Sequence, residues 1–170
     1  MDVLKAIRER KSIRSFERKE MPKEHLKKLM ESAQLSPSGH NLQPWKFIAI
    51  EEQKLKDELI EACNGQEFIA NASVIIAGVT NTKLSRYALI DTSIALEHIV
   101  LEATELGYGS CWIGSFNEDE VKSILAIPAH LKVVCLLAIG VKKGMPPERK
   151  TRKELKEISF LNKYGSELKL

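Results

Sequence analysis

The 170-residue chain has only three cysteines, Cys63, Cys111 and Cys135, an odd number with no C-x-x-C pair. That excludes a disulfide framework and offers no thiolate metal site. Cys111 and Cys135 lie in apolar runs and read as small buried hydrophobes rather than nucleophiles. The four histidines, His25, His40, His98 and His130, show no helical pairing with another zinc-type ligand, so no metal is expected. A long hydrophobic run is missing too. The longest, Val133 to Val141, is too short to span a bilayer. The Met1-Asp2 start, with charges close behind, lacks the apolar core of a secretory leader, and a cytoplasmic protein with no membrane partner is expected. Excess charge is also scarce: 26 Lys and Arg against 23 Asp and Glu give a net charge of +3. The basic residues are not interleaved with aromatics, which are 6% of the chain, so no nucleic-acid partner is expected. With no repeat, no low-complexity tract, 44% hydrophobic and 29% charged residues, the chain reads as a single globular domain over 1–170.

What the sequence does contain is an unusual polar stretch, Ser36-Pro37-Ser38-Gly39-His40-Asn41-Leu42-Gln43-Pro44-Trp45, between a helical pattern and the strand-like Phe47-Ile48-Ala49-Ile50. Pro37 disfavours helical dihedrals at Ser36, and Gly39 lets backbone approach a ligand closely. Ser38, Asn41 and Gln43 can both donate and accept hydrogen bonds, which suits the edge of a heteroaromatic ring. The alternative is a polar connection with Pro44 and Trp45 packed at its end.

Other elements follow in order. Asp2 caps a first helix running to about Arg10, after which Arg10, Ser12 and Arg14 fall on one side of an extended segment. Two guanidinium groups and a hydroxyl there match a phosphate or an anionic ring edge; a solvated basic strand edge would look the same. Amphipathic helices are predicted over Lys23–Leu35 and about Gln53–Cys63, and a central strand over Ala72–Thr80. From about Ser85 to Leu106 the helical pattern is apolar nearly all round, and a second copy of the chain is one way to bury it. Gly107 stops that helix, Asn117 with Glu120 predicts a capping box for a short helix to about Leu125, and Val133–Val141 is a second buried strand. From Lys142 to Glu157 seven Lys or Arg face three acids.

Three of these segments, in this order, resemble the FMN-dependent nitroreductase family. Arg10-x-Ser12-x-Arg14-x-Phe16 is similar to its N-terminal phosphate segment. Ser36-Pro37-Ser38-x-x-Asn41-x-Gln43-Pro44-Trp45 is similar to its flavin-ring loop, and Leu106-Gly107-x-Gly109-x-x-Trp112-Ile113-Gly114 to a third flavin segment. Lys150-x-Arg152 adds a late basic pair. The resemblance implies an α+β fold, a central mostly antiparallel sheet flanked by helices, in an intertwined homodimer with FMN at the subunit interface. About 146–170 would be a C-terminal extension packed on the partner.

The resemblance assigns Arg10, Ser12, Lys150 and Arg152 to the phosphate or ribityl end of FMN and Arg14 to the pyrimidine side of its ring, and carries over Lys11 as a further cofactor-binding residue. Pro37, Ser38, Gly39 and Asn41 would come from the other subunit, while Trp112, Ile113 and Gly114 line the ring. Gln66 is a candidate for a further ring contact. It also implies NADH or NADPH as electron donor, and a small electrophilic acceptor such as a nitroaromatic or a quinone, with no protein nucleophile. Larger members carry a helical lid between the central strand and the long helix; here only about Asn81 to Leu84 intervene. Relatives of this fold also oxidise heterocycles or remove halogens, so an FMN-dependent dehydrogenase or dehalogenase is the alternative within enzymes. A basic nucleic-acid-binding domain is the alternative outside them.

Overall fold

A computed structural model describes residues 2–145, 148 and 151–169. Its centre is strand β3 (Val74–Thr80), every residue of which is buried. Val74 and Ile76 point into one core and Ile75, Ala77 and Val79 into another, so the period-2 alternation of a strand feeds two hydrophobic layers at once. Beside it lies β5 (Lys132–Lys142), then β4 (Gly109–Ile113) on β5, with β2 (Trp45–Ile50) on the opposite edge of β3. A two-residue strand, β1 (Phe16–Glu17), pairs with Val141 and Lys142 of β5. All four strand pairings are antiparallel.

One face of the sheet is covered by α2 (Lys23–Gln34) and the long α4 (Ala88–Glu105), through Leu29, Ala33, Leu96, Ile99 and Val100. The other is covered by α3 (Gln53–Ala62), a 3-10 turn over Glu67–Asn71 and α5 (Glu118–Ile124), through Leu59, Ile69 and Val121. Gly78 permits the contact with α4, since a Cβ there would stand 2.7 Å from Leu96 Cδ1. The expected α+β architecture with a mostly antiparallel sheet is what the chain adopts.

Helix α1 (Val3–Glu9) is capped as predicted, the Asp2 carboxylate accepting from the Leu4 amide at 3.2 Å. Helix α4 starts at Ala88, three residues later than the periodicity suggests, because Ser85 Oγ takes the Tyr87 amide and Arg86 stacks over the Tyr87 ring. The link from β3 to α4 is therefore the short segment 81–87, pinned at Asn81, whose amide donates to Pro44 O. Gly107 takes the left-handed conformation (φ 85°) expected after a helix. The glycine-rich stretch beyond it is strand β4.

Helix α4 is less bare than its composition implies. The sheet, α1 and α2 cover most of it, yet Leu89 and Ile90 stay exposed. Val3, Leu4 and Ile7 on α1 and Leu35 after α2 are exposed as well. After β5 the chain continues through the single-turn helix α6 (Leu155–Ile158), whose Leu155 and Ile158 face solvent, as does Tyr164.

Asn117 caps α5 by accepting from the Asp119 and Glu120 amides, and the Glu120 carboxylate takes the Asn117 side-chain amide rather than its backbone. The next residue, Glu118, ties α5 to β5. Burial opposes its ionisation, but hydrogen bonds from Lys132 (2.5 Å), Lys122 (3.0 Å) and the Val133 amide (3.0 Å) outweigh it and hold the carboxyl at about 2. A carboxyl held below its unfolded value adds stability above roughly pH 4.5 that is lost as the pH falls toward 2. Glu118→Gln should therefore cost about 1–2 kcal/mol at neutral pH, discounted for partial solvation of the pair, and nothing at the acid end. Urea melts of both proteins across that range test this, and a difference independent of pH would assign the effect to packing.

Candidate functional site

The extended segment after α1 is laid against β4. Ile13 donates its amide to Ser110 O at 2.9 Å, and Ser12 bridges Ser110 in parallel. Gly109 makes this approach possible, since a Cβ would lie 2.8 Å from both Ile13 and Lys142. Ile13 is buried while Ser12 and Arg14 are exposed, which is the alternation the sequence predicts. Two adjoining clefts result, sharing Ile13 and Lys142 as walls. One, about 410 Å³, holds Arg10 and Lys11; the other, about 300 Å³, holds Ser12 and Arg14.

Arg10 and Arg14 lie near Cys111 of β4, and Arg10 and Trp112 near Glu97 of α4. Burial pushes the Cys111 thiol up, with the Arg14 and Arg10 charges working against it. Burial likewise raises the Glu97 carboxyl, opposed by Arg10, by a hydrogen bond from the Trp112 indole and by His98. Glu97 thus lies near both the Trp112 indole and Arg10. Lys11, Arg14, Lys142 and Lys143 form no ion pair with a described carboxylate, and the cations lining the two clefts outnumber the lining acids, Glu9 and Glu105. This suits an anionic ligand.

The polar loop is a built structure. Ser36 is buried, its hydroxyl 2.7 Å from His98 Nδ1. The Gly39 amide donates to both oxygens of the buried Asp91 at 3.3 Å, and Ser38 Oγ accepts from the Gln43 amide at 3.0 Å. His40, Asn41 and Gln43 all have positive φ, which leaves Asn41 and Gln43 exposed at the tip with their side chains hydrogen-bonded to each other. Gly39 has a reason the sequence did not disclose: a Cβ would meet the Tyr87 ring at 2.8 Å, so its own chain already fills that space. Pro37 is exposed beside it.

Asp91 and His98 are seven residues apart and share one stripe of α4, whereas Glu97 is turned roughly 120° from Asp91 at 3.6 residues per turn. Within one chain the loop and the arginine segment therefore flank different stripes of the same helix. Ile113 is buried at the end of β4, Trp112 is half-buried, and Gly114 is exposed with open space where a Cβ would stand. Gln66 donates to the Cys63 and Ser115 carbonyls at 2.8 and 3.1 Å, next door to Gly114. Its amide pins that corner. Arg152 is exposed on the C-terminal extension and donates to the Thr151 carbonyl; Lys150 lies outside the described residues. Cys111 and Cys135 are buried as expected, Cys63 is buried too, and burial pushes Cys63 and Cys135 up to about 11. Sequence reasoning passed over Asp91, Glu97 and Tyr87. The two acids were visible as charges inside an otherwise apolar helix.

The family model "Nitroreductase family" matches residues 7–72 and 61–141, most of the chain and all three segments just described. The chain belongs to the nitroreductase family. A relative from Archaeoglobus fulgidus, named a putative NADH dehydrogenase/NAD(P)H nitroreductase, is 33% identical over 150 residues, covering 84% of this chain and 86% of its own. Among solved structures, a nitroreductase family protein from Clostridium novyi NT is 37% identical with a TM-score of 0.82, covering 98% of this chain and 97% of its own. An FMN-dependent nitroreductase from Clostridium difficile R20291 is 27% identical with a TM-score of 0.85, covering 95% and 99%. Membership makes the chain an oxidoreductase. No helix among the described residues is long and apolar enough to cross a membrane.

Proposed function

We propose that this nitroreductase family member is an FMN-dependent NAD(P)H oxidoreductase that works as a homodimer and reduces a small electrophilic acceptor such as a nitroaromatic or a quinone. The observation that carries the reading is the placement of Arg10 and Arg14 beside β4, with Arg10 and Trp112 both near Glu97 and an excess of cations in the two clefts. The name of the C. difficile relative adds the identity of the flavin. FMN, when bound, supplies two-electron chemistry, taking hydride from NADH or NADPH and delivering it to the acceptor.

The chain's own residues hold and tune it. Arg10, Lys11 and Ser12, with Lys150 and Arg152 of the extension, would bind the phosphate and ribityl end. Arg14 would stand at the pyrimidine side, where a fixed cation favours negative charge on the ring. Trp112, Ile113 and Gly114 would line the ring, with Gly114 leaving its backbone N–H accessible. Pro37, Ser38, Gly39 and Asn41 would come from the partner subunit. The separation of loop and arginine segment on α4 supports that division, as do the exposed apolar residues of α1 and α4, which a second copy would cover. The extension from about 146 would pack on that partner. NADH or NADPH would use the same site before the acceptor does, so steady-state kinetics should be ping-pong.

Titration of the purified protein with FMN, followed by flavin fluorescence, tests the reading. Arg10→Ala should weaken binding roughly tenfold or more, because a charge-assisted contact contributes on the order of 1.5–3 kcal/mol. Arg14→Gln should lower the flavin's reduction potential more than its affinity, measured by photoreduction against a reference dye. A wild-type protein that takes up no FMN would sink the assignment, and a potential unmoved by Arg14→Gln would remove Arg14 from the ring.

A further inference from the structure

A third cleft, about 610 Å³, opens where the segment after β1 passes α3 and the start of β3, and none of its lining residues lines the clefts beside Arg10 and Arg14. Its floor holds a lysine that is out of place. Lys56, on the inward face of α3, is only 5% exposed. Its ammonium donates to the Ala72 carbonyl at 2.9 Å and meets no described carboxylate within ion-pair distance. An ammonium has three donors, so one carbonyl leaves it short of partners. Burial and the Arg18 charge push Lys56 below the usual lysine range, against weaker pulls from Asp57 and Glu51.

Next to Ala72, the Ser73 hydroxyl is buried with no hydrogen-bond partner, the only such side-chain atom among the described residues. Arg18, on the rim, pairs with no described carboxylate. The other lining lysines are already matched, Lys19 to Glu17 and Lys23 to Glu51. Two like charges therefore face one cleft beside an unsatisfied hydroxyl. A water molecule would satisfy Ser73 but leave the repulsion between Lys56 and Arg18 in place. An oxyanion removes both costs.

We propose that this cleft is a second ligand site, separate from the flavin site, which binds the phosphate or carboxylate group of a small metabolite through Lys56, Arg18 and Ser73. The volume exceeds that of a bare anion and lies in the range of small-molecule sites. The ligand therefore carries its oxyanion at one end. Glu20, the lining carboxylate without a lysine partner, sits on the exposed rim and favours a hydroxyl or amine at the other end over a second anion.

The test is amide NMR of the full-length labelled chain, titrated at constant ionic strength with inorganic phosphate and, separately, acetate, each with and without added FMN. The expected result is a saturable shift of the Ala72 and Ser73 amides with at least one anion, unaffected by FMN. The stronger response identifies the headgroup. Arg18→Ala and Lys56→Met should each weaken that binding roughly tenfold or more. Arg18 is exposed, so its variant carries the test even if Lys56→Met does not fold. No saturable shift with either anion, the same titration in the variants as in the wild type, or loss of the shift on adding FMN would each overturn the proposal.

Discussion

Two variants that are each inactive should regain activity when refolded together, reaching about a quarter of wild-type site activity. The first lacks the arginine charges (Arg10→Ala with Arg14→Ala), and the second carries Ser38→Ala with Asn41→Asp in the loop. Asn41 has φ 57°, a conformation that Asp tolerates almost as well as Asn, so this change places a negative charge at the loop tip without refolding it. Gly39 is left alone because any side chain there would strike Tyr87. If each flavin is held by the arginines of one chain and the loop of the other, a heterodimer has one doubly damaged site and one intact site. Random pairing makes about half the dimers heterodimers, and half of their sites work. Heterodimers seen by native mass spectrometry but without activity would show that the loop and the arginines serve the same flavin from the same chain.

Gly140→Ala should be among the most damaging single-methyl changes in the protein. Its Cβ would stand 2.9 Å from the Ser73 backbone nitrogen and 3.0 Å from the Phe16 ring. A flexible side chain could swing away, but Ser73 leads into the fully buried β3, and Phe16 is itself buried in the core. Overpacking against atoms that cannot move costs about 1–3 kcal/mol and sometimes more, and the upper end applies here. For a chain of this length that is a drop of roughly 5–10 °C in Tm, readable by calorimetry. The same residues anchor the segment running back to Arg14, so FMN affinity should fall with stability. Gly114→Ala is the control. Nothing lies within 4 Å of its Cβ position, so its Tm should hold to within about 1 °C while flavin binding, if the backbone there meets the ring, weakens. Equal Tm losses in both variants would mean that the clash at Gly140 is relieved by a backbone shift.

The sequence by itself determined the elements and the family. Continuous apolar runs placed β3 and β5, and period-3.6 spacing α2 and α3, to within two residues, because strands and helices that bury one or both faces must write that burial into their residue order. The three flavin-type segments could be read because each is local: the residue types and spacings that suit a phosphate or a ring edge lie within ten residues of each other. Tertiary structure alone decided what joins them. Trp112 and Arg10 are brought to Glu97, and Gly39 to Asp91 and Tyr87, by approaches between residues 15 or more positions apart, which no local pattern encodes. The same holds for the start of α4, set by Ser85 and Tyr87 rather than by apolar spacing, and for Lys56, whose position among charged neighbours in sequence reads as a solvated helix face. Only the packing of α3 against Ala72 turns it inward. A side chain's register follows from its neighbours in the chain, but its burial and its charge partners follow from which other segment the fold lays across it.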